Sequence, residues 1–294
     1  KNLSSVECFE PARGAGAGGS WRKSAEMSAP RRGLCAVFLK GRLYAMGGWD
    51  GRNYLDSMEI FDCKEQRWCA GPRMLTPRCF AAAAAMEEDD SVCVLGGYFG
   101  ASNLRSAEYF HVPSGEWRAL PEMLEKRRGL GAAWMRGARV VIAAGGWDGK
   151  RSLASVELLD WDNPTKWREI ASMKVPRCSL ACAACGERLL VFGGWDGKNY
   201  LASVEEVEVR AGSVLGRTWN QIAPMSVARS YCAASGLAHD GEVRYVVLGG
   251  WDGEGAARLS SAEMLLSSPV GLRWQKLADM TSPRYGSACC WAIL

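Results

Sequence analysis

Short apolar runs alternate with polar breaks along the whole chain. Residues 34–39 (LCAVFL) and 43–46 (LYAM) set the type, bounded by glycine, proline or charge. Runs of four to seven residues with such boundaries read as strands, and no segment sustains the apolar period of a helix. The pattern predicts an all-β protein with essentially no helix. It also predicts an order of elements. A strand at 34–39, the turn Lys40-Gly41 and a strand at 43–46 lead to a double glycine. A third strand then carries Ser57-Met58-Glu59, and after the turn at Lys64-Glu65 a fourth carries Trp68.

That order repeats. Gly-Gly-Trp-Asp-Gly begins at Gly47, Gly145, Gly193 and Gly249, with the variant Gly96-Gly97-Tyr98-Phe99-Gly100 between; copies start 49, 49, 48 and 56 residues apart. A serine-apolar-glutamate step ends at Glu7, Glu59, Glu108, Glu157, Glu205 and Glu263. Each is followed by Trp-x5-Met-x3-Arg, which is kept six times without an insertion. The six arginines are Arg31, Arg78, Arg127, Arg177, Arg229 and Arg284. Length varies elsewhere, in the small-residue loops before Trp21 and Trp219 and after the fifth double glycine, which marks those places as surface turns.

Four short strands per unit of roughly 50 residues predict a propeller blade, because one such sheet cannot bury both faces and a ring of them can. The six tryptophans are the expected filling between blades. The strand after each arginine is small-sided (81–85, 131–133, 181–184, 233–234), which suits the crowded axis and makes it innermost. Cutting at the arginines divides a single domain, 1–294, into blades at approximately 32–78, 79–127, 128–177, 178–229 and 230–284. Residues 285–294 with 1–31 form a composite sixth blade shared by the N- and C-termini. No double glycine precedes Leu3, so that blade lacks a second strand, while residues 287–294 supply its innermost one.

Composition narrows the classes. With 294 residues, 48% hydrophobic, the chain can bury a large core. No apolar run nears the roughly 20 residues of a membrane helix, and a net charge of +4 is too mild to argue for nucleic acid. A start at Lys1 rather than Met points to a piece of a longer or processed protein. Twelve cysteines sit mostly in small, apolar, strand-like surroundings, where the thiol acts as a small hydrophobe. Cys182 and Cys185 have zinc-like spacing, but no second such pair exists, and positions three apart on a strand point to opposite faces. Reduced thiols suit a cytoplasmic protein.

These residues resemble the kelch repeat, and the resemblance covers the whole chain. Its marks are the double glycine, the downstream tryptophan and the Met-x-x-x-Arg close to it. The Trp-Asp-Gly after the glycines is similar to kelch-like proteins that also carry BTB and BACK domains. Six copies imply a six-bladed β-propeller. The fold hosts both enzymes and binding platforms. An enzyme like galactose oxidase needs converging histidine and tyrosine ligands, and His111 and His239 are the only histidines. No nucleophile elbow, phosphate loop or calcium loop is present, and residues 87–90 read as one solvated acidic turn. The expectation is a non-enzymatic module with no catalytic residue, metal or cofactor.

The resemblance also implies a binding rim made of two loop sets. The loop after the double glycine contributes Trp49, Tyr98, Trp147, Trp195 and Trp251, and five residues further on Tyr54, Asn103, Ser152 and Tyr200, with Asn2 matching in the broken repeat. The position after the recurring arginine contributes Arg32, Cys79, Arg128, Cys178, Ser230 and Tyr285. The six Met-to-Arg segments, extended by one residue, hold ten basic side chains and one acid, Glu125. The recurring arginines are discounted as structural partners of the recurring glutamates, which leaves four bases. Asp50, Asp148, Asp196 and Asp252 are expected to be tied to backbone in their Asp-Gly turns. The balance favours an acidic or phosphorylated peptide or protein partner, with neither nucleic acid nor membrane. By resemblance the module is the substrate-recognition part of an adaptor for a cullin-type ubiquitin ligase; the alternative is an actin-associated cytoskeletal scaffold.

Overall fold

A computed structural model describes residues 2–11, 19–210, 218–239, 242–253, 257–268 and 271–291. Five four-stranded antiparallel sheets follow one another as simple meanders, first strand to second to third to fourth. Blade 1 comprises Cys35–Leu39, Arg42–Met46, Met58–Asp62 and Arg67–Gly71. Blade 2 comprises Ala82–Met86, Ser91–Leu95, Ala107–His111 and Glu116–Leu120, and blade 3 Gly131–Met135, Val140–Ala144, Val156–Asp160 and Trp167–Ile170. Blade 4 comprises Ala181–Cys185, Arg188–Phe192, Val204–Glu208 and Asn220–Ile222, and blade 5 Ala233–His239, Glu242–Leu248, Ala262–Ser268 and Gly271–Lys276. Helix among the described residues is limited to two 3-10 turns, Glu87–Asp89 and Arg136–Ala138.

The first strands are innermost, as their small side chains require. Successive ones touch, and together they line an axial cavity of about 680 Å³ open toward the face carrying the first hairpins. Second strands are buried on both faces, hence their continuous apolar runs: all five residues of Ser91–Leu95 and of Val140–Ala144 are buried. Core clusters fill each space between consecutive blades.

The expectation of six blades is corrected to five. In the sixth sector Val6–Pro11 and Gly19–Ser24 pair only with each other. Residues 287–291, expected as an innermost strand, join no ladder among the described residues. The reason lies in the meander order: a first strand bonds only to a second strand, and none is present among the described residues of this sector. Trp291 is instead anchored by its amide, which donates to Ser235 Oγ at 3.1 Å. Residues 292–294, with the loop segments 12–18, 211–217 and 254–256 and the turn 240–241, lie outside the described residues.

Three sets of contacts nevertheless run round all six sectors. Each recurring arginine reaches forward to the glutamate of the next third strand, at 2.5–2.9 Å: Arg31 to Glu59, Arg78 to Glu108, Arg127 to Glu157, Arg177 to Glu205, Arg229 to Glu263 and Arg284 to Glu7. The arginines are structural, as their pairing with the strand glutamates anticipates. Each recurring tryptophan donates its Nε1–H to a carbonyl of the preceding sector at 2.8–3.0 Å, from Trp21 to Ala278 O through Trp274 to Ala223 O. Trp117, Trp167 and Trp219 are buried and the other three half-buried.

The third set is a closed circle. The amides of Gly33, Phe80, Gly129, Ser179, Tyr231 and Gly286 each donate to the carbonyl of the preceding member, Gly33 to Gly286, at 2.7–3.0 Å. All six have φ between +52° and +65°. Gly286, in the sector without a blade, completes the circle as well as the others do.

The double glycines earn their place locally. Gly145 has φ +61°, and a Cβ there would stand 2.5 Å from Arg177 O. The turn therefore admits no side chain, and the carbonyl it crowds accepts the amide of Gly146 at 2.9 Å.

Candidate interaction surface

The two loop sets meet on one rim. Arg32 pairs with Trp49 and Trp49 with Tyr54; Cys79 pairs with Tyr98, and Tyr98 with Asn103. The same bridges join Arg128, Trp147 and Ser152; Cys178, Trp195 and Tyr200; Ser230, Trp251 and Arg258. Each blade thus presents a short three-chain patch held by backbone bonds, with the aromatic in the middle. The structure brings together every residue that the sequence assigns to the rim in these five blades.

Their exposure differs. Trp49, Tyr54, Tyr98, Trp147, Trp195, Trp251, Arg32, Arg128 and Tyr285 are part-exposed and Tyr200 is exposed. Ser230 and Asn103 are buried, at 1% and 8%. Burial turns both into supports of the patch rather than open contact points, although Ser230 Oγ and Asn103 Oδ1 lack partners.

The aromatics form two runs. Trp49 and Tyr54 stand 4.6 Å apart between ring centroids, Tyr54 and Tyr98 5.7 Å, and Arg128 lies 5.1 Å over Tyr98. On the other side Trp251 and Tyr285 are 5.9 Å apart, Tyr285 and Tyr231 6.2 Å, with Arg258 5.0 Å over Tyr285. Trp147 and Trp195 join at 5.8 Å. Between the runs, at the axis, Phe80 and Tyr231 come from opposite members of the hydrogen-bonded circle and meet at 5.6 Å. They narrow the channel at this face.

Arg258, Phe80 and Tyr231 are rim residues that sequence reasoning missed. Arg258 stands seven residues after Trp251 rather than five, displaced by the two-residue insertion. Phe80 and Tyr231 follow the recurring arginine by two positions, where other repeats carry glycine or serine. An aromatic at a glycine position was the available signal.

Charge on the rim follows from who is already paired. Asp50, Asp148 and Asp196 each accept two backbone N–H groups from residues two and three further on, at 2.6–2.8 Å. Asp50 is held below its usual pKa by the amides of Asn53 and Arg52. These aspartates are bound into their turns, as the Asp-Gly pattern predicts. Among the described residues neither Arg32 nor Arg128 pairs with a carboxylate, and Arg32 Nε is buried without a partner. Both cations face Cys79, whose thiol burial pushes up to about 11 against their opposing pull.

On the opposite face residues 87–90 form the acidic hairpin turn expected there, with Glu87 and Glu88 exposed, and its carboxylates are also ion-paired. Arg136 pairs with Glu87 and Glu88, Arg139 with Asp89 at 3.2 Å, and Lys40 with Asp90. The acids tie the first hairpins of blades 1, 2 and 3 together. All twelve cysteines are free thiols, and burial pushes Cys93, Cys182 and Cys290 up to about 12. Among the described residues, no three His, Cys, Asp or Glu side chains group as metal ligands, and no helix is long and apolar enough to cross a membrane.

Comparison with known proteins agrees with this architecture. Residues 30–75, 77–124 and 176–226 match the kelch motif. Kelch-like protein 4 of Homo sapiens is 35% identical over 63 residues, which is 21% of this chain and 8% of that protein. Kelch-like protein 7 of Rattus norvegicus is 33% identical over 75 residues, 26% of this chain and 11% of the relative. A putative F-box/kelch-repeat protein of Arabidopsis thaliana is 39% identical over 49 residues, 17% of each chain. The match thus spans less than a fifth of the length of these relatives. A solved structure titled "Structure of YjhT" superposes with a TM-score of 0.73 at 14% identity, over 91% of this chain and 89% of its own, and shares the fold.

Proposed function

This chain is a kelch-repeat β-propeller, and from that premise we propose that it is a non-enzymatic module that binds an acidic or phosphorylated segment of a partner protein on its rim. The observation that carries the reading is the pair of unneutralised guanidinium groups, Arg32 and Arg128, set on either side of the Trp49–Tyr54–Tyr98 run. Arginine beside rigid aromatics is a strong combination for a carboxylate or phosphate, since the planar fork donates two parallel bonds while the rings contribute area at little entropic cost. Phe80 and Tyr231 narrow the axis, so the partner lies across the rim rather than entering the channel.

Within this reading the module selects substrates for a cullin-type ubiquitin ligase adaptor in the cytoplasm. What supports that step is the likeness to kelch-like proteins. The test is a phosphopeptide array followed by titration calorimetry on the best binder, with wild type and the R32A/R128A double variant. The expected result is a loss of about tenfold or more in affinity for the variant, in line with losing charge-assisted bonds worth roughly 1.5–3 kcal/mol each. Unchanged binding by the double variant overturns the assignment of the site.

A further inference from the structure

The closed circle carries two side chains that closure does not need. Its members Gly33, Gly129 and Gly286 bond as well as the rest, and glycine takes a positive φ without steric cost. Phe80 and Tyr231 hold φ +53° and +52°, a conformation in which the Cβ crowds the following carbonyl oxygen. Strain of this kind persists only where the surrounding structure enforces it, and it gathers at binding sites. Here it sets two rings 5.6 Å apart across the axis. Neither ring is sunk in a core: Phe80 is half-buried and Tyr231 is 36% exposed. Room for the Phe80 ring comes from its neighbour in the circle, since a Cβ on Gly33 would stand 2.7 Å from it.

The place of Phe80 in the circle gives these rings their chemical setting. Its amide donates to Gly33 O at 2.7 Å, and its carbonyl accepts from the amide of Gly129 at 2.8 Å. The residues immediately before those two glycines are Arg32 and Arg128. They are the rim cations that pair with no carboxylate among the described residues, and Arg32 Nε is buried without a partner. Both act on Cys79, the residue before Phe80, and pull its thiol down against the effect of burial. Arg128 also lies 5.1 Å over Tyr98, whose backbone exchanges two bonds with Cys79 at 2.8 and 3.1 Å. An aromatic surface at the axis is thus flanked by one free positive charge on each side.

We propose that Phe80 and Tyr231 are the floor of a subsite for an apolar side chain of the partner, with Arg32 and Arg128 each taking an anion on either side of it. The inference rests on the rim reading above and makes it more specific. The recognised segment reads acid, any residue, apolar, any residue, acid. That alternation follows from an extended chain, in which every second side chain faces the same way at a spacing of about 6.6 Å. A carboxylate or a phosphate satisfies either cation, because both offer oxygens to the guanidinium fork. The apolar residue adds what charge alone does not: it displaces water from the centre of the patch, and the flanking charges then act through a less screening medium.

The probes are synthetic peptides on an array, with the best binders then titrated against the whole chain by calorimetry. Two outer positions carry glutamate, phosphoserine or glutamine, and the position midway between them carries leucine, phenylalanine or serine. The expected result is that peptides with two anions and an apolar centre bind, and that serine at the centre weakens binding about tenfold or more. Glutamate against phosphoserine at the outer positions shows which anion is the natural one. The F80G/Y231G variant is expected to keep the wild-type Tm, since glycine already closes the circle at Gly33, Gly129 and Gly286, and to bind serine-centred and apolar-centred peptides equally. Equal binding of the two kinds by the wild type overturns the proposal. So does an F80G/Y231G variant that still prefers the apolar centre, whatever its Tm, because the rings are then a seal for the channel. The rim reading fails by a different result, R32A/R128A binding anionic peptides as the wild type does. Anion binding lost in R32A/R128A without any preference for an apolar centre strikes the floor and leaves the rim reading standing, and binding by no member of the array strikes both.

Discussion

The recurring arginine shows what one residue does when its surroundings repeat. Arg127 Nη1 donates to Gly145 O at 2.7 Å and Ser155 O at 3.0 Å, while Nε and Nη2 reach Glu157 Oε1 at 3.0 and 2.8 Å. Lysine has no such fork, and alanine leaves Glu157 buried at 1% without its cation. Arg127→Ala is expected to cost about 3–5 kcal/mol, the range for breaking a buried pair from one side, measured by urea unfolding. Its neighbour Arg128 is expected to behave oppositely: R128A loses partner binding yet stays within about 0.5 kcal/mol of wild type, as a part-exposed side chain without a carboxylate partner should. Gly145→Ala sets a side chain at φ +61° and 2.5 Å from Arg177 O, so a loss of at least ~1–3 kcal/mol is expected from the same measurement. Adjacent arginines in the motif thus divide into scaffold and surface. The sequence reading could discount one and keep the other because Arg127 belongs to a sixfold set and Arg128 does not.

At the scale of elements, what was legible was whatever repeats. Strand order, the innermost position of the small-sided strand and the Trp-x5-Met-x3-Arg joint all follow from period and side-chain size, and the structure contains them. The sixth blade was not legible as it stands. Spacing implied that 287–294 would be a strand, but a strand is made by its partner, and the second strand is the only ladder neighbour a first strand has. The acidic turn at 87–90 is the exposed hairpin its charge implies, but its ion-pair partners Lys40, Arg136 and Arg139 come from neighbouring blades, at separations no local pattern reveals. Rim burial was equally out of reach, since Ser230 and Tyr285 occupy matching repeat positions and only packing separates them.

Across the whole molecule the joints make stability depend on pH. Burial alone would raise the Glu7 carboxyl, but Arg284 and the donors at Thr281 and Ser282 outweigh it and lower it from 4.5 to about 2; Glu59 shifts in the same direction. A carboxyl depressed in the folded state contributes stability in full above its unfolded pKa of 4.5 and loses it as pH falls toward 2. Urea midpoints are therefore expected to be flat from pH 7 to about 5 and to fall steadily between about 4.5 and 2. A variant with Glu7→Gln is expected to start lower and to show a shallower fall over that window. A midpoint that holds level down to pH 2 would count against joints as the acid-sensitive element.

The circle of αL residues at the axis has an arithmetical consequence. Its six bonds run head to tail, amide to preceding carbonyl, and it has no first or last member. Each bond subtends a fixed share of the turn, so a chain with five or seven such positions could not close at the same lengths. The loops before the tryptophans can lengthen, and have done so ahead of Trp21 and Trp219, because they lie outside the circle. Gain or loss of a whole repeat is another matter, since it changes the count. The axis therefore works as a tally that tolerates drift within a unit and resists any change in their number.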